Sequence, residues 1–335
     1  MIKVAVIGVG SMGRNHARVL SEMPGVKLVG VADVNLAEAN AIATKYETVA
    51  YKDYNCLLDD QKPDAVVIAV PTSQHKIVGL ATIERGINTL MEKPLAATAA
   101  DADVLVEAAE RKGVILSVGH IERFNPAVQE LKRRVDGGEL GKITSIIAKR
   151  VGMLPSRIKD ANVIVDLAVH DIDIFNYLID ALPTEVFATG GKALLSDRYD
   201  HAEIFLKYNH VGCFILVNWI TPLKVRTLSI TGDKGHAELN YMTQKLEIFE
   251  SNLERSYDDF GDFLVRFGTP RTTLVPLEVQ EPLKLELKAF IEAICDHVPL
   301  VVKSSDGLQT MRVVERVLAC LDNSNSGTRV SQNEK

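Results

Sequence analysis

"VAVIGVGSMGRNHARVL", Val4–Leu20, decides the fold. An apolar, β-branched run ends at Gly8, and Gly8, Gly10 and Gly13 follow in G-x-G-x-x-G spacing where a helical pattern begins. A glycine triplet alone is weak evidence; the strand before it and the helix after it give it meaning. In that context Gly8 permits a tight turn, Gly10 lets the backbone approach a pyrophosphate and Gly13 lets the helix pack closely on the strand. The amides near Ser11 and Met12 then face the phosphates at the positive end of the helix. A second strand ends in "GVADVN", placing Asp33 twenty residues beyond Gly13, where an acid hydrogen-bonds a ribose 2′-hydroxyl and repels a 2′-phosphate. The cofactor expected is NAD in preference to NADP.

Outward from that stretch, "KLVGVAD", "DAVVIAV", "NTLMEK" and "VILSVGH", with a short run at "TVAY", alternate with helical patterns up to about Val118. Repeated βαβ units of this kind feed a parallel sheet covered on both faces, and Gly86 and Gly113 stand where helix C-caps belong. After Pro126 the rhythm changes. A helix near Ala127–Val135, the strand "KITSIIAKRVG" and the helix "NVIVDLAVHDIDIFNYLI" are followed by six strand-like runs with no helix between them. Strands in succession, joined by turns such as Tyr208-Asn209-His210, indicate a mostly antiparallel sheet and an α+β domain. The expected division is 1–122 for nucleotide binding, 123–325 for the α+β domain and 326–335 for a polar tail. It leaves the two closing helices, near Leu283–His297 and Ser305–Leu321, able to pack back on the first domain.

Composition limits what such a chain does. With 335 residues, 47% hydrophobic and 24% charged, it buries cores for two domains. A formal charge of −6 with scattered Lys and Arg gives no footprint for nucleic acid. Cys56, Cys213, Cys295 and Cys320 have neither metal-ligand spacing nor disulfide density, which fits buried thiols in a reducing compartment. No leader pattern opens the chain and no apolar run approaches the roughly 20 residues of a membrane span. A cytoplasmic protein without bound metal is expected.

Ligands of open α/β sheets bind at the carboxyl ends of the strands. That edge receives Pro71 and Thr72 from "AVPTSQH", and Glu92 and Lys93 from "MEKPL". Ser73 is a candidate N-cap, and His75 divides evenly between a cofactor contact and a structural role. Pro94 restricts Lys93 to extended conformations and makes a cis peptide accessible. Glu92 and Lys93 are solvated strand-end charges on one reading and groups aimed at the cofactor on the other. In the buried helix, Asp166 and His170 stand four residues apart and share a face, with Asp173 nearby. Three readings stand: a satisfied structural pair, a metal site, or a histidine that takes a hydroxyl proton while the carboxylate orients its ring.

The glycine turn, "AVPTSQH", "EKPLA" and "DLAVHDID", in this order, resemble the glucose-fructose oxidoreductase, inositol dehydrogenase and MocA family (Gfo/Idh/MocA) over essentially the whole chain. The resemblance implies an N-terminal Rossmann domain, doubly wound, and a C-terminal α+β domain with a large, mostly antiparallel open sheet used for homodimer or homotetramer contacts. It also implies NAD(P)-dependent oxidation of a sugar-type secondary alcohol. Lys93, Asp166 and His170 take the family's catalytic positions; Glu92 and His120 join the cofactor set. Ala161-Asn162-Val163 stands where many members have Gly-Gly, which puts the loop shape in doubt. "VGHIERFNPA", "PSRIKDANVIVDLAVHDID" and "NWITPLKVRTLSITG" are similar to the branch acting on UDP-N-acetylglucosamine at C3. A diphosphate would call for Arg123, Arg150, Arg157 and Lys159, with Asn125 beside them. The rivals are a dehydrogenase of a free polyol or sugar, an NAD-dependent glycosidase and a non-catalytic NAD-binding regulator.

Overall fold

The short apolar runs of the first third pair only in parallel. The strands β1 (Ile2–Ile7), β2 (Val26–Ala32), β3 (Ala50–Tyr51), β4 (Ala65–Ile68), β5 (Asn88–Glu92) and β6 (Leu116–Gly119) form one sheet in the order β3-β2-β1-β4-β5-β6. Between them run α1 (Gly13–Glu22), α2 (Leu36–Lys45), α3 (Tyr54–Gln61), α4 (His75–Glu84) and α5 (Ala99–Lys112). Alternation along β1 feeds both faces: Ala5 and Ile7 pack with Val78 and Leu105, whereas Val4 and Val6 pack with Ala17 and Leu20. The second face is completed by Leu283, Leu287 and Phe290, which return from late in the chain. Strand order reverses between β1 and β4, and every carboxyl end lies on one edge, so the crevice opens there.

The computed structural model describes residues 1–154, 161–250, 253–257, 263–267 and 269–326. It divides into two units, Met1–Pro126 with Val279–Arg312, and Ala127–Glu278 with the residues from Val313 onward. The first unit takes in Arg123–Pro126, which the sequence reading had placed in the second domain, and Val279–Arg312, in the closing part of the chain whose helices that reading left able to pack back on the first domain. The tail from 327 lies outside the described residues.

In the second unit α6 (Pro126–Asp136) leads into β7 (Ile143–Met153), and a π-helical stretch at Ile164–Ala168 runs into α7 (Val169–Ile179). Then come β8 (Glu185–Gly191), β9 (His201–Tyr208), β10 (Val211–Asn218), β11 (Ile220–Gly232), β12 (Gly235–Asn240), β13 (Lys245–Glu250), β14 (Leu253–Tyr257), β15 (Phe263–Phe267) and β16 (Arg271–Leu274). Eight of these strands form a sheet ordered β16-β13-β12-β11-β7-β10-β9-β8, antiparallel except where β10 meets β7; β14 and β15 pair separately. Asn209, in the left-handed region at φ 53°, makes the predicted turn between β9 and β10. One sheet face packs on α7 through Ile172, Phe175, Ile204, Ile215 and Ile230. The chain closes with α8 (Pro282–Cys295) and α9 (Ser304–Ser326).

Sequence spacing misses α3, whose eight residues bury only Leu57 and Leu58 and so carry little periodicity. Asp53 starts it, its side chain accepting from the Asn55 amide at 2.8 Å. The thiols also differ from expectation: Cys213 is buried, and burial pushes it up to about 12, but Cys56 and Cys295 are exposed. Among the described residues no helix is long and apolar enough to cross a membrane.

Candidate active site

In the first unit the glycine-rich turn has the shape that the spacing predicts. Gly8 sits at φ +85°, and a Cβ there would meet the Ala69 carbonyl oxygen at 2.6 Å. At Gly13 a Cβ would fall 1.7 Å from the Gly8 carbonyl oxygen, so only glycine lets α1 approach the turn this closely. Gly10 is exposed and a Cβ there meets nothing within 4 Å, which leaves open backbone at the start of α1 for a phosphate group. Asp33 braces the same turn: Oδ2 accepts from the Val9 amide at 2.8 Å and Oδ1 from Asn35 at 2.9 Å. Each carboxylate oxygen has lone-pair capacity left for a ribose hydroxyl. Turn, open backbone and acid together fit a dinucleotide.

Parallel pairing brings Ser11 and Met12 after β1, Asp33 after β2, Pro71 and Thr72 after β4, Lys93 after β5 and His120 after β6 to that edge. Thr72 begins a 3-10 turn, and no side chain caps α4, so Ser73 is not the N-cap expected. His75 resolves to the structural alternative. It is 1% exposed, with Nδ1 2.8 Å from the Pro94 carbonyl oxygen and Nε2 3.0 Å from that of Val70. Burial lowers its pKa, against the opposing pull of those carbonyls.

Glu92 also departs from the sequence reading. It is 8% exposed and does not project into solvent at the crevice; Oε1 lies 2.7 Å from Nε2 of His16, a fully buried ring on α1. Its Oε2 accepts from the Lys93 amide at 3.2 Å. Burial would raise the Glu92 carboxyl, but the hydrogen bond and charge of His16, followed by the charge of Lys93, hold it below the usual carboxylate range. Lys93 itself is partly exposed, and the Lys93-Pro94 peptide is cis.

Beyond β6, His120, Arg123 and Asn125 are all buried. Arg123 donates to Asp306 at 3.1 Å and to the Val301 carbonyl at 3.4 Å, an internal engagement that sequence reasoning reserved for phosphate.

In the second unit the helix carrying Asp166 and His170 is not regular. Asn162 accepts from the Ile164 and Val165 amides, both at 3.0 Å, and the Val163 amide reaches the Tyr199 carbonyl. The wider π coil from Ile164 to Ala168 then holds Asp166, while His170 lies in the first turn of α7. Their relation is therefore set by i→i+5 geometry and not by the α-helical repeat assumed from spacing; π-bulges recur at functional sites. Both side chains are partly exposed, whereas Asp173 is 1% exposed and belongs to the interior.

The neighbour that sequence reasoning passed over is Asp171. Its carboxylate takes Arg150 in a fork, Nε to Oδ2 at 2.8 Å and Nη2 to Oδ1 at 3.0 Å, with both side chains buried. The guanidinium stands 4.8 Å from the centre of the Tyr241 ring. Arg150 is thus engaged inward, and Arg157 and Lys159 lie outside the described residues. Among the described residues no cluster of His, Cys, Asp and Glu could hold a metal.

Comparison with known proteins places the chain in a family. A family described as oxidoreductases with an NAD-binding Rossmann fold matches residues 2–120, and the GFO/IDH/MocA C-terminal domain matches residues 128–238. The chain is similar to UDP-N-acetylglucosamine 3-dehydrogenase of Acidithiobacillus ferrooxidans, 29% identical over 320 residues that cover 95% of each chain. It is likewise similar to inositol 2-dehydrogenase 1 of Saccharopolyspora erythraea, 32% identical over 341 residues, 98% of this chain and 96% of that protein. Among solved structures, UDP-N-acetylglucosamine 3-dehydrogenase from A. ferrooxidans superposes with a TM-score of 0.85 at 27% identity, covering 96% of this chain and 98% of that one.

Proposed function

We propose that this chain, which belongs to the GFO/IDH/MocA family of NAD-binding oxidoreductases, oxidises the C3 hydroxyl of a UDP-N-acetylhexosamine to a 3-keto sugar. The observation that carries the substrate is the similarity, over 95% of both chains, to a UDP-N-acetylglucosamine 3-dehydrogenase. Bound NAD supplies the hydride acceptor at nicotinamide C4. His170 takes the hydroxyl proton as the hydride leaves C3, and Asp166 orients the ring and stabilises its protonated form. Lys93 hydrogen-bonds the reacting oxygen, positioning it and, in the reverse direction, polarising the carbonyl. Asp33 favours NAD over NADP by repelling a 2′-phosphate. With Arg123 and Arg150 held by Asp306 and Asp171, Arg157 and Lys159 are left as the candidates for the diphosphate.

A second reading, oxidation of a free polyol, is supported by the 32% identity to an inositol 2-dehydrogenase. Absorbance of NADH separates the two. UDP-N-acetylglucosamine with NAD should give a steady rise and myo-inositol none; the reverse result transfers the reading to the polyol.

The open sheet face supports self-association of a cytoplasmic protein. Across β8, β9, β10 and β7 the paired positions Phe187, Phe205, Phe214 and Ile147 form an apolar row, with Phe187 55%, Phe214 49% and Ile147 51% exposed. Large exposed apolar rows mark interaction surfaces.

A further inference from the structure

Lys93 is partly exposed at the end of β5, yet the residues on both sides of it are fixed from inside the first unit. On the N-terminal side, Glu92 is bound through Oε1 to His16 and turns its other oxygen back to the Lys93 amide. Room for that carboxylate is provided across the sheet by Gly119, the register partner of Glu92, where a Cβ would lie 3.2 Å from Oε2. On the C-terminal side, the Pro94 carbonyl is bound by His75. The two histidines come from the helices that follow the two turns of the cofactor edge. His16 is on α1, three residues past Gly13, and His75 opens α4 three residues after Thr72. Both are buried, so their hydrogen bonds act where water does not compete for them.

We infer that His16, acting through Glu92, is a positioning residue that ties the phosphate-binding turn at the start of α1 to the Lys93 tip, with His75 holding the tip from the α4 side. Ordering of the turn by a dinucleotide is then transmitted to the lysine through one 2.7 Å contact. Glu92 makes this link from within the unit. The inference rests on the proposed role of Lys93.

The test uses the full chain with NADH as the probe and UDP-N-acetylglucosamine as substrate, or myo-inositol if that is the sugar oxidised. In H16L, kcat should fall about 100-fold, the order expected when a catalytic group is displaced by an ångström, while the NADH Kd by calorimetry and the substrate KM stay within about threefold. H16Q, which keeps a donor near the Nε2 position, should recover most of the rate. Without substrate, acetic anhydride labelling of Lys93 read by mass spectrometry should be slowed by saturating NADH in the native chain and not in H16L. Should H16L fail to fold, E92Q decides: it keeps the shape and an acceptor, and its kcat should fall at least about tenfold with NADH binding unchanged. A native kcat in H16L or E92Q, equal protection of Lys93 in both chains, or loss of rate only in proportion to lost NADH binding overturns the inference. K93A run in parallel keeps the two ideas apart. If K93A stays active the reading of Lys93 fails, and if K93A is inactive while H16L is normal only the coupling fails.

Discussion

Each of the two proposed reactive side chains has an acid as its immediate neighbour in sequence, and both acids face inward. Glu92 precedes Lys93 and pairs with His16; Asp171 follows His170 and pairs with Arg150. The partners differ in kind. The histidine meets its carboxylate through one contact, whereas the arginine grips through two and stays charged at any ordinary pH. The support behind His170 is a two-point charged grip, and the support behind Lys93 is a single contact. A third acid, Glu286, sharpens the contrast, for it lies buried with no hydrogen-bond partner to either oxygen among the described residues.

The largest stability effect is expected where the partner cannot discharge. D171N removes the negative charge from the buried fork with Arg150 and should destabilise the second unit by about 3–5 kcal/mol in urea titrations, far more than E92Q costs the first. Equal losses in the two variants would break the comparison.

Glu286 follows in size, with a gain. Burial, and then the charge of Glu92, push its carboxyl well above the ordinary range. Folding therefore retains a proton that the unfolded chain releases above about pH 4.3. Stability from this group is whole below that pH and declines as pH rises toward the folded value, by up to about 1.4 kcal/mol per pH unit. E286Q should raise the melting temperature at pH 8, and its advantage should vanish near pH 4. A constant difference across pH would show that the carboxyl does not hold its proton on folding.

The smallest effect has the opposite sign. Glu92 is held below the usual range, with His16, Lys93, His75 and Glu286 as its charged or titratable neighbours. Its contribution is present above the unfolded carboxyl value of about 4.3 and is lost as pH falls through the lower folded value. The acid limb of a thermal-shift profile should accordingly be shallower in E92Q than in the native chain; identical limbs would contradict the pairing.

These contrasts also mark what the sequence could and could not disclose. Gly8 and Gly13 were legible because each has a steric reason to be glycine, with Gly10 marked by the spacing between them, and the parallel sheet then placed Asp33 and Lys93 on one edge without further information. The direction of Glu92 was not legible: Thr89 to Glu92 are all buried, so alternation distinguishes no solvent face. Asp166 and His170 were found from their spacing, but the π coil between them leaves no apolar signature, and Asp171 was hidden beside the more conspicuous histidine. Glu286 did leave a signal, standing at the i+3 position of the stripe Leu283, Leu287, Phe290 where an apolar residue belongs. His16, three residues past Gly13, carries no pattern of its own in the sequence; only the fold brings it to Glu92 on β5.

On the proposed function, Lys93 serves hydride transfer from a UDP-linked sugar. The most direct test is the NADH absorbance produced from UDP-N-acetylglucosamine by the native chain and by K93A, with NADH binding measured in both. The account predicts steady NADH formation by the native chain and at least about a 1,000-fold lower kcat in K93A at unchanged NADH affinity. K93A turning over at a rate close to the native one would contradict it.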